Sequence, residues 1–410
     1  MKKLLFLIVI TFSTASYSQT PITDANFQEA INTCLTANPI DGMCSESEYG
    51  PMPNWDVTLV TDMSSAFKDR NTFNGDISNW NTSSVANMRY MFNGASVFNQ
   101  PLNEWNTSKV ENMEGMFFLA YSFNRDISYW DTSNVTNMYY MFYEAPSFNQ
   151  TLNKWDTSKV ELMEGMFSEA SSFNADISEW DTSSVNNMGY MFQGALVFNG
   201  DISSWDVSSV SYMKGMFISA ASFNTDISEW DTSEVTNMDV MFYEATAFNQ
   251  PLNEWDITSV GIMSNLFDYS GLSTDNYDGI LNSWSQQDVQ SNVTLGAAEI
   301  NYCNGAGAKD ILTGSPNNWI INDGGLDCAS AGVGDQNQLD ISIYPNPTSD
   351  IVYIDGNYTQ LKVAIYNLLC KKVIFKSNTD KINVKELSKG VYIIRISDGI
   401  RQTNRKFVKN

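Results

Sequence analysis

FNGDISNWNTSSVANMRYMFNGAS, residues 73–96, decides the fold because it keeps returning. Its tryptophan belongs to a column at 55, 80, 105, 130, 155, 180, 205, 230 and 255, always 25 residues apart. Met63 to Met263 form a second column with the same period, and Phe73-Asn74 recurs through Phe248-Asn249. Nine copies without an insertion are the mark of supersecondary units stacked in strict register. Within one unit, Val85, Met88, Met91, Phe92 and Ala95 are spaced three to four apart, which predicts a helix of about three turns. Ser83 or Ser84 stands at its N-cap and Asn93-Gly94 near its end. Asp76–Trp80 reads as a short strand. Ile77 and Trp80 are three apart, so a bend or bulge is needed if both point inward. The expected fold is an α/β solenoid with one short strand and one short helix per 25-residue coil.

The copies also pair at a longer period. Trp105–Phe117 (WNTSKVENMEGMF) nearly repeats as Trp155–Phe167 (WDTSKVELMEGMF), while the coils between differ. Duplication of a two-coil block accounts for this.

Working outward, residues 1–18 read as a secretory signal. Lys2 and Lys3 precede the short apolar run Leu4–Ile10, and Ala15, Ser16 and Ser18 are small enough for cleavage. No other run is long and apolar enough for a membrane helix. The expected organisation is an N-terminal cap at 19–54, nine coils at 55–267, a capping coil at 268–329, a linker at 330–338 and a final module at 339–410. Export makes disulfides possible. Proximity pairs Cys34 with Cys44 and Cys303 with Cys328, leaving Cys370 as a buried, inert thiol. Residues 339–410 carry 12 Lys+Arg and 6 Asp+Glu, against 9 and 41 in residues 19–338, which marks a domain boundary. The final module reads as about seven short strands, at 341–344, 351–354, 362–366, 372–376, 381–384, 391–396 and 405–408, a small all-β sandwich.

The formal net charge is -24 and the histidine count is 0. An acidic chain repels phosphate backbones, so nucleic acid is not an expected partner. Without histidine there is no Ser-His-Asp or Cys-His catalysis and no imidazole metal ligand. Paired-carboxylate chemistry needs unique residues that break the repeat, and no coil shows such a break. The expectation is a non-enzyme without cofactor or metal.

The unit consensus FNxDISxWDTSxVTNMxxMFxxA resembles that of the BspA-like leucine-rich-repeat surface proteins over about 55–267. The resemblance implies a leucine-rich-repeat-like solenoid of cell-surface proteins, often proposed as adhesins or binding proteins. The final module resembles the C-terminal sorting domain of the type IX secretion system. The residues that carry the likeness are Tyr344-Pro345-Asn346-Pro347, the Ile365-Tyr366-Asn367-Leu368 strand, Leu387 with Gly390-Val391-Tyr392, and the basic end around Lys406. Cys370 stands where that family usually has glycine. That resemblance implies contact with the secretion machinery, passage across the outer membrane of a Gram-negative cell, and release or surface attachment.

The position before each tryptophan varies in a fixed frame: Asn79, Glu104, Tyr129, Lys154, Glu179, Ser204, Glu229 and Glu254. Such a row is the natural stripe for a protein or glycan partner. A second candidate face holds Tyr90, Tyr139, Tyr140 and Tyr190. The eight asparagines from Asn74 to Asn249 read as an internal ladder. The Asp or Asn after each tryptophan reads as a local backbone acceptor rather than a calcium ligand. The Met columns read as core, and Asp275–Gly279 as a turn. The function expected is an exported surface binding module, the alternatives being a passive spacer or a carboxylate-based carbohydrate-active enzyme.

Overall fold

The computed structural model describes residues 20–328, 341–355, 361–367, 372–377, 379–397 and 402–410. The expected leader, the linker and Cys370 lie outside them. The chain divides into two compact units between Cys328 and Ala329.

In the first unit, single parallel bridges join equivalent residues 25 apart, from Asp62–Asn87 through Asn237–Ile262. Beyond each bridge, alternate N–H groups donate to the following coil: Met88 to the Asn112 carbonyl (3.0 Å), Tyr90 to Glu114 (2.8 Å), Phe92 to Met116 (2.8 Å) and Gly94 to Phe118 (2.8 Å). The intervening donors fold back on their own coil, Met91 to Met88 (3.1 Å), Asn93 to Tyr90 (3.1 Å) and Ala95 to Phe92 (3.0 Å).

The helix expected over Val85–Ala95 therefore does not form. Tyr90 (φ 55) and Gly94 (φ 70) are left-handed, and the same two positions repeat in every coil. A left-handed residue every four breaks an α-helix, and a chain of tight turns takes its place. The inward set is nevertheless the one that the spacing selects: Val85, Met88, Met91, Phe92 and Ala95 are all 0% exposed. The strand expected at Asp76–Trp80 is absent too. Trp80 N–H donates to the Ile77 carbonyl (3.2 Å), so a turn rather than a bulge sends both side chains inward. Ser83 caps nothing; its N–H is held by Asn81 Oδ1 at 3.1 Å.

Three aromatic columns fill the interior. Successive Trp rings from Trp55 to Trp205 stand 5.9–6.5 Å apart, nearly parallel. Two Phe columns run beside them, one from Phe67 to Phe267 and one from Phe73 to Phe248. Each indole N–H from Trp80 to Trp255 donates to a carbonyl of the preceding coil, for example Trp105 to Ile77 (3.1 Å) and Trp155 to Ile127 (3.0 Å). The acceptor satisfies the buried indole N–H and also fixes the register.

The two-coil period has a steric cause. Left-handed Tyr90, Tyr140 and Tyr190 alternate with left-handed Gly115, Gly165 and Gly215. Each tyrosine ring lies where a Cβ of the following glycine would be. A bulky residue in one coil requires glycine in the next.

Both ends are closed. Helix α1 (Phe27–Ala37) buries Phe27, Ala30, Ile31, Cys34 and Leu35, and the Cys34–Cys44 disulfide ties it down. Asp24 accepts from Thr61 N–H (2.7 Å) and Thr61 Oγ1 (2.6 Å), docking this cap on the first coil. At the far end follow α2 (Thr274–Trp284), β1 (Thr294–Tyr302), α3 (Ala306–Thr313) and β2 (Ile320–Leu326). β1 and β2 pair in parallel, and Cys303–Cys328 forms the second disulfide. The segment read as a turn, Asp275–Gly279, is instead the first half of α2. Ser273 caps it, and Tyr277, Ile280, Leu281 and Trp284 are its buried face. Buried Asp278 accepts three backbone N–H bonds, from Cys303 (2.9 Å), Asn304 (2.7 Å) and Gly305 (2.8 Å), which joins α2 to the loop entering α3.

Among the described residues of the second unit, seven strands form two antiparallel sheets. One has the order β3 (Ser342–Tyr344), β4 (Ile351–Asp355), β7 (Lys381–Asn383). The other has β6 (Lys372–Ser377), β5 (Lys362–Tyr366), β8 (Gly390–Ser397), β9 (Gln402–Lys409). One core takes side chains from both: Val352, Ile354 and Ile382 with Val363, Ile365, Ile394, Ile396 and Phe407.

Candidate functional site

Every residue of the stripe is exposed: Asn79, Glu104, Tyr129, Lys154, Glu179, Ser204, Glu229 and Glu254. The fully buried residue three positions before each tryptophan, such as Ile77 or Leu102, and the tryptophan itself anchor the segment that carries it. Two neighbours interact within the stripe. Lys154 Nζ sits 3.9 Å from the centre of the Tyr129 ring, so one face of that tyrosine is already covered. Toward the other end, Glu229, Asp231, Glu254 and Asp256 line a shallow groove of about 250 Å³.

The polar rows flanking the stripe are structural. Asn74 Oδ1 accepts from Asn99 N–H (2.9 Å), Asn99 from Asn124 (3.1 Å), and the relay continues to Asn249, which holds Ser273 N–H (2.9 Å). Asp131, Asp156, Asp181, Asp206 and Asp231 each accept from the N–H and hydroxyl of the serine two residues on, and Asp256 does so from Thr258. Among the described residues no cluster of three or more Asp, Glu or Cys is arranged for a metal ion.

A second acidic row, Asp76, Asp126, Asp176, Asp201 and Asp226, makes the same bond to the following serine backbone and was not singled out in the sequence. Nor was the buried threonine column. Thr82, Thr107, Thr132, Thr157, Thr182 and Thr232 each donate Oγ1 to a carbonyl of the next coil at 2.8–2.9 Å. Its signal lay in the recurrent Thr after Asp or Asn, replaced by Val57, Val207 or Ile257 where the bond is not made.

These acceptor rows set a pH dependence. Serine hydroxyl and backbone donors hold Asp76, Asp126, Asp156, Asp201 and Asp231 below the ordinary carboxylate range. For Asp176 the backbone donor is the larger cause. A depressed folded pKa contributes stability that is present above the unfolded value, about 3.9, and is lost as pH falls through the folded value. Thermal unfolding followed from pH 7 to pH 2 should give a flat midpoint down to about pH 4.5 and a progressive fall below about pH 4. A midpoint that rises on acidification would contradict it.

The tyrosine face is more tightly built than an open contact surface. Tyr90 Oη donates to Glu114 Oε1 (2.6 Å), which also pairs with Arg89 (2.9 Å). Tyr139 and Tyr140 rings are 4.1 Å apart, and burial pushes the Tyr139 hydroxyl strongly up. All four tyrosines are only half-exposed.

In the second unit, the Tyr344–Pro347 motif is exposed, and Asn346 links it to the last strand. Its Oδ1 accepts from Val408 N–H (2.9 Å) and its Nδ2 donates to the Lys406 carbonyl (2.9 Å). Gly390 opens β8 opposite Lys409. Tyr392 stacks on Phe407 (5.5 Å) and donates its hydroxyl to the Ser388 carbonyl (3.0 Å).

The family described as "Mycoplasma protein of unknown function, DUF285" matches residues 40–153, 124–217 and 198–297, together more than half of the chain. The chain belongs to this repeat family. Its end, residues 342–410, matches the secretion system C-terminal sorting domain. That match supports secretion through the type IX system and contact of this module with its machinery. No curated protein matches the chain. Among the described residues no helix is long and apolar enough to cross a membrane.

Proposed function

We propose that the repeats form a leucine-rich-repeat-like solenoid of the BspA-like kind, displayed on the outer surface of a Gram-negative cell as a binding module or adhesin. The single observation that carries this reading is the stripe: eight exposed, varied residues at equivalent positions, each on a segment anchored by a buried tryptophan and the buried residue three positions before it. A frame that varies only where it meets solvent suits recognition, and the sorting domain supports delivery to the exterior. The stripe holds four glutamates and one lysine, so the partner is a basic protein, or a glycan stacking on the free face of Tyr129. Catalysis is not part of the proposal, because the carboxylates beside the stripe serve backbone donors. The second reading is a passive spacer, favoured by the number of residues that do nothing but hold coils together.

Binding separates the two. The purified chain, screened on a glycan array and against a panel of basic and acidic matrix proteins, should retain at least one class of partner. Binding to a basic protein should weaken as salt is raised, because exposed charges are screened beyond about 8–10 Å. A chain that binds nothing on either panel at low salt is a spacer.

A further inference from the structure

A cleft of about 390 Å³, lined by none of the stripe residues, lies between Tyr121, Tyr143, Glu144, Glu169, Gly194 and Leu196. Tyr121, Tyr143, Pro146 and Leu196 give it apolar and aromatic surface, and Glu144, Glu169 and Ser171 give it polar surface. Tyr121 is 45% exposed and Leu196 48%, so neither is needed in the core. Tyr143 is braced by Phe118, with ring centres 4.6 Å apart. Two carboxylates of adjacent coils, Glu144 and Glu169, line the cleft. Tyr121 Oη donates to Glu144 Oε2 at 3.3 Å. Glu169 lies across Gly194, whose missing side chain and left-handed backbone (φ +65) leave the room it occupies. Among the described residues no lysine or arginine pairs with either glutamate.

Elsewhere the chain supplies its own cations to such places. Lys154 covers Tyr129, and Arg89 lies 4.8 Å from the Tyr90 ring centre while pairing with Glu114. Among the described residues no cation covers Tyr121 or Tyr143. Neighbouring carboxylates repel unless a positive charge joins them, tyrosine faces attract cations, and apolar walls accept a methylene stem. We infer that this cleft seats a lysine or arginine side chain of a basic partner polypeptide, its charged end between Glu144 and Glu169 and its stem against Tyr121 and Leu196. The inference rests on the reading of the repeats as a binding module, but uses a different surface from the stripe.

A fluorescently labelled octalysine peptide, titrated at physiological salt onto the whole chain, tests it. Glu144→Gln with Glu169→Gln keeps shape and removes charge, and should weaken binding at least tenfold with an unchanged melting curve. Tyr121→Leu, at an exposed site, should weaken it about two- to fivefold, the value of a surface cation–π contact of about 0.5–1 kcal/mol. Glu179→Gln with Glu229→Gln, on the stripe, should change it less than twofold. Wild-type affinity in both cleft variants overturns the inference. So does equal weakening by the stripe pair, which shows general attraction to an acidic chain. Loss with the stripe pair alone overturns the cleft and leaves the stripe reading standing. If the double glutamine variant fails to fold, Tyr121→Leu decides the matter by the same criterion.

Discussion

Replacing Trp155 by alanine should destabilise the repeat unit by about 3–5 kcal/mol. The ring is 3% exposed, stacked between Trp130 and Trp180 at 6.5 and 6.3 Å. Its loss opens a cavity that cannot collapse, because the coils on either side are held apart by their own hydrogen-bonded runs and aromatic columns. It also leaves the Ile127 carbonyl without its indole donor, which adds a desolvation cost of about 1 kcal/mol or more. Tyr129→Ala, an exposed residue in the neighbouring coil, should stay within about 0.5 kcal/mol of wild type. Denaturant unfolding followed by tryptophan fluorescence measures both. A Trp155→Ala cost under about 1 kcal/mol would mean that the columns are not what holds the coils in register.

Deleting residues 339–410 should abolish passage across the outer membrane while sparing the fold of the repeats. Each unit has a separate core: one gathers side chains from Ile22 to Trp319, the other from Ile341 to Phe407. The sorting domain's own last strand is locked to its first motif by Asn346. In a host with a type IX system, the truncated chain should be found folded in the periplasm, protease-resistant and absent from the surface and medium. Surface levels equal to those of the full chain would show that the address lies elsewhere.

The register and the inward-facing set were legible because period 25 is carried by large, unmistakable residues. The backbone was not. Spacings of three and four between Val85, Met88, Met91, Phe92 and Ala95 suit one face of an α-helix, but equally a chain of turns that is left-handed at Tyr90 and Gly94. The available clue was the glycines. Gly94, Gly115, Gly165, Gly194 and Gly215 fall on those two columns, where a left-handed residue is cheapest. The two-coil period was visible, while its cause, a tyrosine ring occupying the space above the next coil's glycine, is a contact between residues 25 apart that only stacking creates. In the closing segment the acidic, glycine-containing stretch at Asp275–Gly279 suggested a turn. The buried face Tyr277, Ile280, Leu281 and Trp284 carries the true signal. The sandwich strands were legible to within a few residues, since β-branched runs separated by polar turns have few alternatives.

At the candidate site the sequence showed which row varies but not how it is used. Exposure of all eight stripe residues follows from the turn at Ile77–Trp80 and its copies. The contact of Lys154 with Tyr129 follows from coil stacking. The tyrosine face looked equally open in sequence, yet Tyr140 and Tyr190 are committed to covering glycines of the next coil.

The most direct test takes whichever partner the panels identify and measures its affinity for Glu179→Lys with Glu229→Lys. Both residues are exposed, so circular dichroism and melting should be unchanged. For a basic partner the account predicts at least tenfold weaker binding and a shallower salt dependence; for an acidic competitor, stronger binding. Unchanged affinity in that pair, together with loss in Tyr139→Ala at an unchanged melting point, would place recognition on the tyrosine face and contradict the stripe.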